Sequence, residues 1–440
     1  MKKKFHTLTA LAVGTGICLL SAPLVFAAEN QPMTNTAAQQ TTPGATTSAP
    51  DEIFGTRGGF IHPFMSVSAV NSDNINNTKD NEISDWSTIY SPGIWLALPR
   101  SEQTQLEIVS SNTAPGGRQM FMDKPKSFNR YQAYAFYGAD IEEYHTHTER
   151  NTVKQAAVGY FQYNLRGGLS IDVYNKYVDS EDPIGTGDTT EIDAFKNNLT
   201  GVMIDYDIGE KFNVRADYTH FYLGYDLLDS RGKNRDDNSY SGYLFYKYSP
   251  KTNFFAQYEF VNVDYDTNTA QDNEQHHYSL GIQWKPTVKT SLKAKVGVVD
   301  RNTDNNPAGD NTEPLVEITA LHQLTEKTGI QLFASQKANE STVSTASYSN
   351  DTTVSISVLE QFTEKIGASL RLSYTQNDFQ VEPGEPDRSD DIYSLSPSLR
   401  YMFKEWLMAD LGYEYSERNS NQEDYDYTTN KVFIRMSAGF

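Results

Sequence analysis

From Gly59 to the C-terminus the chain repeats one device, segments of about ten residues in which apolar and polar side chains alternate. Leu292, Ala294, Val296 and Val298 alternate with Lys293, Lys295 and Gly297. Ile366, Ala368, Leu370, Leu372 and Tyr374 alternate with Gly367, Ser369, Arg371 and Ser373. Phe212, Val214, Ala216 and Tyr218 do so with Asn213, Arg215 and Asp217, and Leu407, Ala409, Leu411, Tyr413 and Tyr415 with Met408, Asp410, Gly412 and Glu414. A period of two builds a sheet with one oily and one wet face. The segment length is what a tilted strand needs to cross a bilayer. A soluble sandwich alternates in the same way, with its apolar face inside, so the connections have to separate the two.

Those connections are alternately short and long. The short ones are Pro99-Arg100-Ser101, Asn164 to Gly167, Ile208 to Lys211, Ser249-Pro250-Lys251, Lys285-Pro286-Thr287, Leu324 to Lys327, Thr363-Glu364-Lys365 and Phe403-Lys404-Glu405. Their Pro, Gly and charged residues suit tight hairpins. The long ones include Asp179 to Asp193, Asp226 to Asn238, Asp264 to Gln275, Asp300 to Glu313, Asn377 to Asp391 and Glu417 to Tyr427. Short turns at one end and long loops at the other are the habit of outer-membrane barrels, and a sandwich does not enforce it. The expected fold is therefore an all-β, antiparallel, up-and-down transmembrane barrel with acidic outer loops. With both termini periplasmic the strand number is even. Reading Gln103 to Tyr144 as one strand, interrupted by an insertion at Ser110 to Ser127, gives about eighteen strands. A barrel of that size encloses water unless something fills it.

The two ends of the chain agree with this architecture. Residues 1–27 read as a cleaved signal peptide, with Lys2 to Lys4 charged, Leu8 to Leu20 apolar and Val25-Phe26-Ala27 at the cut. Cys18, the single cysteine, leaves with it, so no disulfide framework is expected. Residues 28–58 are rich in Thr, Ala, Gln and Pro, which suits a disordered periplasmic leader before a barrel at 59–440. At the other end Val432, Ile434, Met436, Ala438 and Phe440 share one face, with Phe433 as a large apolar residue on the polar face. This segment resembles the closing strand of bacterial outer-membrane barrels. The resemblance implies that the terminal aromatic forms part of the signal read by the barrel-assembly machinery.

Composition narrows the function classes. A formal charge of -20 leaves no basic surface for nucleic acid. Aromatic residues make up 12 % of the chain, with 28 Tyr, which suits interfacial belts. Trp86, Tyr90, Tyr222, Tyr225, Trp284, Trp406 and Tyr415, near segment ends, are the expected members.

A further resemblance lies between Phe60 and Leu98. Ser72-Asp73-Asn74-Ile75, then Ser84-Asp85-Trp86-Ser87-Thr88 and Ser91-Pro92-Gly93, are similar to the opening of the β-barrel porin type 2 family. The resemblance implies an outer-membrane barrel over Gly59 to Phe440, in a family often encoded beside exopolysaccharide synthesis and export genes. Passage of hydrophilic solutes, with exopolysaccharide export as a special case, is thus the expected function. The rival is a structural or adhesive barrel with a closed lumen and ligand-binding loops. Outer-membrane lipid, lipopolysaccharide and polysaccharide export components are the expected partners.

The polar strand faces hold the candidate site residues. Arg215, Lys293, Lys295, Arg371, Arg400 and Arg435 are expected to line the lumen with Asp172, Asp217, Glu259, Asp410 and Glu414. Two arrangements fit them: a basic ladder that guides an anionic solute, or cross-strand ion pairs that hold the sheet. No cofactor, metal site or enzymatic activity is expected. His145 and His147, in line with Glu143, are expected at a polar rim. His220, on the segment that carries Asp217, has no nucleophile motif beside it. The acidic loop clusters Asp179 to Asp182, Asp236-Asp237, Asp390-Asp391 and Glu423 to Asp426 match no spaced Ca²⁺ loop.

Overall fold

The period of two is carried through to the tertiary structure. The computed structural model describes residues 60–98, 108–118, 130–182, 192–303, 311–341, 343, 345–381 and 384–439. Its strands are β1 (Ile61–Ser72), β2 (Asp85–Leu98), β3 (Tyr131–Tyr144), β4 (Thr152–Asn164), β5 (Leu169–Asp182), β6 (Asp193–Ile208), β7 (Phe212–Tyr225), β8 (Arg235–Ser249) and β9 (Thr252–Tyr265). They continue as β10 (Asn273–Thr287), β11 (Thr290–Thr303), β12 (Asn311–Gln323), β13 (Thr328–Glu340), β14 (Ala346–Gln361), β15 (Ile366–Val381), β16 (Arg388–Lys404), β17 (Leu407–Ser420) and β18 (Tyr427–Gly439). Each strand pairs antiparallel with its neighbours in sequence, and β1 pairs with β18, so the sheet of 18 strands closes on itself. The signal segment 1–27, the leader 28–58 and Phe440 lie outside the described residues.

The two faces divide as the alternation requires. Leu280, Val296, Leu332, Val354, Leu370, Leu372, Leu399, Leu411, Val432, Ile434 and Met436 are exposed on the outside, while their polar neighbours are screened within. A continuous apolar exterior of this extent is what a bilayer covers. Trp86, Tyr222, Trp284 and Trp406 are exposed, as a belt requires. Tyr225 is the exception, because it is buried and its hydroxyl donates to Asp182 inside the barrel at 2.9 Å. Phe433 also points inward, where it covers Gly412 on the neighbouring strand. Phe64 over Gly93, Tyr174 over Gly201 and Phe255 over Gly281 repeat the arrangement. A Cβ at Gly201 would stand 2.2 Å from the Tyr174 ring, so these rings need a bare partner.

Two expectations are corrected. The strands are 12 to 17 residues long and run into segments read as loops, so Asp182, Asp237 and Asp390 are strand residues. The ladder continues past the bilayer, where both faces can be polar, and the hydrophobic pattern fades before the hydrogen bonds do. Among the described residues the third strand is Tyr131–Tyr144, and residues 108–118 before it lie outside the ladder. The expected turn Pro99-Arg100-Ser101 lies outside the described residues. Most other short turns fall where the sequence places them, but Lys285-Pro286-Thr287 ends β10 and the reversal follows at Val288-Lys289, and Phe403-Lys404 ends β16. Gly167, Gly168 and Gly209 take the positive φ that tight reversals demand.

The closing seam has its own clamp. Asp73 accepts hydrogen bonds from the Asn430 backbone N–H at 2.7 Å and from its side-chain amide at 2.6 Å. The Asp73 N–H donates to the Asn430 carbonyl at 3.1 Å. Asn74 donates to the Thr428 carbonyl at 3.0 Å and also ties down its own loop. The Ser72-Asp73-Asn74-Ile75 motif thus binds the β1–β2 loop to the last strand.

Candidate functional site in the barrel lumen

Both β2 and β3 meet their connection at the short-turn end, yet residues 108–118 of that connection lie inside the barrel. Ser110 and Arg118 form an isolated bridge, and Pro115-Gly116-Gly117 makes the tip. The tip reaches the long-loop ends of the strands: Asn112 donates to the Tyr225 hydroxyl at 3.4 Å and accepts from Asn197 at 2.7 Å. Glu340, the last residue of β13, donates its N–H to the Thr113 carbonyl at 2.7 Å. Arg235 donates to the Ala114 carbonyl, Lys176 to the Ile108 carbonyl, and the Gly116 N–H to Asp237. A segment without ladder partners must satisfy its peptide groups elsewhere, and here bonds within the segment, wall side chains and the Glu340 main chain do so.

The wall beside this finger is unusual for a wet lumen. Phe195, Leu199, Met203, Phe221 and Leu223 point inward from β6 and β7 and are buried together with Ile108 of the finger. Arg118 sits in the carboxylate groups below, 2.9 Å from Asp217 and 3.6 Å from Glu259. Arg215 pairs with Asp217 at 2.7 Å, Lys295 with Glu317 at 2.6 Å and Arg235 with Asp237 at 3.0 Å. Glu340 is enclosed by Arg301 at 2.6 Å, the Tyr265 hydroxyl at 2.6 Å and Gln275 at 2.9 Å.

The opposite wall, from β14 through β18 to β1 and β2, is lined by small hydroxyls. Ser66 and Ser437, Thr353 and Thr375, Ser369 and Ser398, and Ser373 and Ser394 meet in cross-strand pairs at 2.6–3.3 Å. Arg400 and Arg435 flank Asp410 at 2.8 and 3.5 Å, one carboxylate between two guanidiniums. Arg371 donates to the Ser357 hydroxyl at 3.0 Å.

The candidate residues thus sit on the inward faces of their strands, with mixed arrangements. Asp217, Glu259, Asp410, Arg215, Lys295, Arg400 and Arg435 are in ion pairs. Asp172 accepts from Tyr160 and Gln162, Glu414 lies directly across from Lys431, and Lys293 faces Thr319 and Gln283. Val432, Ile434 and Met436 are exposed on the outer face of β18, with Ala438 in the same row. Sequence reasoning missed Arg118, whose flanking residues show no period, and Glu340, which turns inward against the parity of its strand. It also missed Arg235 and Arg301, which the alternation marks but which lay in segments taken for loops.

The histidines fall apart as a group. His220 faces outward and lies 3.5 Å from Asp236, whereas Asp217 faces the lumen, so the two form no dyad. His147 lies 3.1 Å from Asp85 at the rim, and His145 is hydrogen-bonded to Thr88. Among the described residues no three His, Cys, Asp or Glu side chains are placed to hold a metal ion.

Comparison with known proteins gives a family. The family model described as "Putative beta-barrel porin 2" matches residues 126–440. Solved structures similar to the chain include OccAB4 of Acinetobacter baumannii, at 10 % identity and a TM-score of 0.44 over 87 % of this chain and 99 % of that one. OccK2 (OpdF) of Pseudomonas aeruginosa is similar at 8 % identity and a TM-score of 0.46, over 86 % and 98 % of the two chains. No curated protein matches.

Proposed function

The chain belongs to the beta-barrel porin 2 family of outer-membrane barrels, and from that premise we propose that it gives hydrophilic solutes passage through its lumen. The anionic polysaccharides of an export system are the special case. The observation that carries this reading is the hydroxyl-lined wall with Arg371, Arg400 and Arg435 among its serines. Asp410 lies between two of these guanidiniums. Short hydroxyls exchange hydrogen bonds with a sugar or with water at little cost, and a basic bias favours anions. The reading is of a channel rather than an enzyme, as the family points to.

The finger in the lumen favours a second reading, a closed barrel whose long loops bind a ligand such as lipopolysaccharide. Single-channel recording of the refolded protein in a planar bilayer, with and without oligogalacturonate, separates the two. Open steps blocked by the oligosaccharide are expected. Steps indifferent to it would remove the polysaccharide, and a folded barrel without conductance would leave the closed-lumen reading.

A further inference from the structure

We propose that the outer face of β3 to β6 is where two copies of this barrel meet in the membrane, through Asn175 and a hollow beside it. The inference stands apart from the transport reading above, because it concerns the face that looks away from the lumen.

The first argument is a polar patch within the apolar band. Tyr174 points inward over Gly201, so Asn175, its neighbour on β5, points outward with Ile171 and Val173. Across the ladder Asn175 lies opposite Gly159 on β4 and Thr200 on β6. The row one step nearer the short turns is Ala133, Phe161, Val173 and Val202, all apolar. Tyr177 comes next on the loop side and keeps its hydroxyl on Asp179, as an aromatic at the interface does. Asn175 therefore lies below the belt, among side chains that face lipid. It donates to Asn198 at 2.9 Å and to Thr200 at 2.8 Å, and Thr200 donates to Asn198 at 3.1 Å. The Asn175 oxygen receives a long 3.4 Å bond from Asn198, and among the described residues the second N–H of Asn198 has no acceptor. Lipid chains neither give nor take hydrogen bonds, so polar groups at this depth are costly unless protein covers them.

The second argument is shape. Ala135 lies opposite Gly159 and Ala157 beside it on the outer face, and a Cβ on Gly159 would meet nothing within 4 Å. Tyr137 and Phe161, 46 % and 44 % exposed, stand on either side of this hollow. A ring that stands out beside an opening for a ring suits a two-fold pair, since each copy offers both. Small residues also let two backbones come close, as they do between membrane helices. The third argument is the membrane itself. Two copies inserted in the same sense are related by an axis along the bilayer normal, so each side chain meets its counterpart at its own depth. An amide carries both donor and acceptor, and Asn175 facing Asn175 supplies what Asn198 and Thr200 leave open. A lipid headgroup, held at the level of Tyr177 and above, does not reach that depth. The outer face of β7 to β9 makes the contrast, because there Tyr218, Tyr240 and Phe260 form a continuous aromatic row suited to lipid.

Cross-linking tests the face. The mature chain expected after removal of residues 1–27 has no cysteine, so a single introduced thiol reports contacts without background. Val173 is the next outward residue to Asn175 on β5 and 41 % exposed, and Leu280, 65 % exposed on β10, serves as the control. In barrels refolded into phosphatidylcholine vesicles at low protein density, oxidation is expected to join Val173→Cys into a dimer and to leave Leu280→Cys monomeric. Equal joining, or none, overturns the face. The amide is tested with Asn175→Leu and Thr200→Val together, apolar replacements on a row that faces lipid, with folding read by heat-dependent gel mobility. Loss of the dimer is expected after gentle detergent extraction and mass measurement, and an undiminished dimer overturns the role of the amide. Gly159→Leu, which fills the hollow, is expected to lower the dimer fraction, and an unchanged fraction overturns the fit. If the double variant does not fold, the two cysteine variants still decide. A wild-type barrel that is monomeric at every protein density overturns the interface, whether or not it conducts.

Discussion

Asp410 shows what a single residue does in this lumen. Arg400, Asp410 and Arg435 are direct cross-strand neighbours on β16, β17 and β18, so one carboxylate links the last three strands of the barrel. Removing it leaves two screened guanidiniums facing each other. A lost partner in a buried pair costs about 3–5 kcal/mol, and water in the lumen lowers the figure. Asp410→Ala is therefore expected to destabilise the refolded barrel by about 1–3 kcal/mol in urea titration. Asp410→Asn, which keeps a hydrogen-bonding oxygen, should cost less. A loss confined to Ala shows that the packing matters more than the charge.

At the scale of one element, β18 does two jobs with its two faces. Val432, Ile434 and Met436 are exposed outward, while Arg435 and Ser437 are buried inward. Ile434 lies near the middle of the strand, between Ala69 on β1 and Leu411 on β17. A lysine on the lipid face at mid-depth costs about 2–4 kcal/mol in outer-membrane barrels. Ile434→Lys is expected to lose that much in refolding into lipid vesicles, and no loss would mean that this face does not meet lipid. The finger is the contrasting element. It has no ladder to carry its peptide groups, so it exists only where the wall supplies donors and acceptors.

For the whole molecule, closure is the event that completes the fold. β1 and β18 are separated by nearly the entire chain, and their pairing leaves no free edge. Asp73 and Asn430 reinforce that seam at the long-loop end. Before closure the first and the last strand are both exposed edges. Deleting Phe440 is expected to lower the amount of folded barrel that reaches the outer membrane, read by heat-dependent gel mobility of membrane fractions. Equal amounts would show that the terminal aromatic is no part of the signal.

The even strand number came from placing both termini on one side, while period and spacing alone determined the sheet, its two faces and the alternation of short and long connections. These are local properties, written every second residue, and a one-residue slip would turn each oily face to water. Arg371 and Arg435 were legible for that reason. Only the tertiary structure decided which charges meet, because pairing depends on the neighbouring strand and not on the residue's own. It alone turned Glu340 inward against the parity of its strand, and it alone lifted residues 108–118 into the lumen. Nothing periodic marks that segment, and its partners at Lys176, Asp217, Asp237 and Glu340 come together only once the barrel has closed around it.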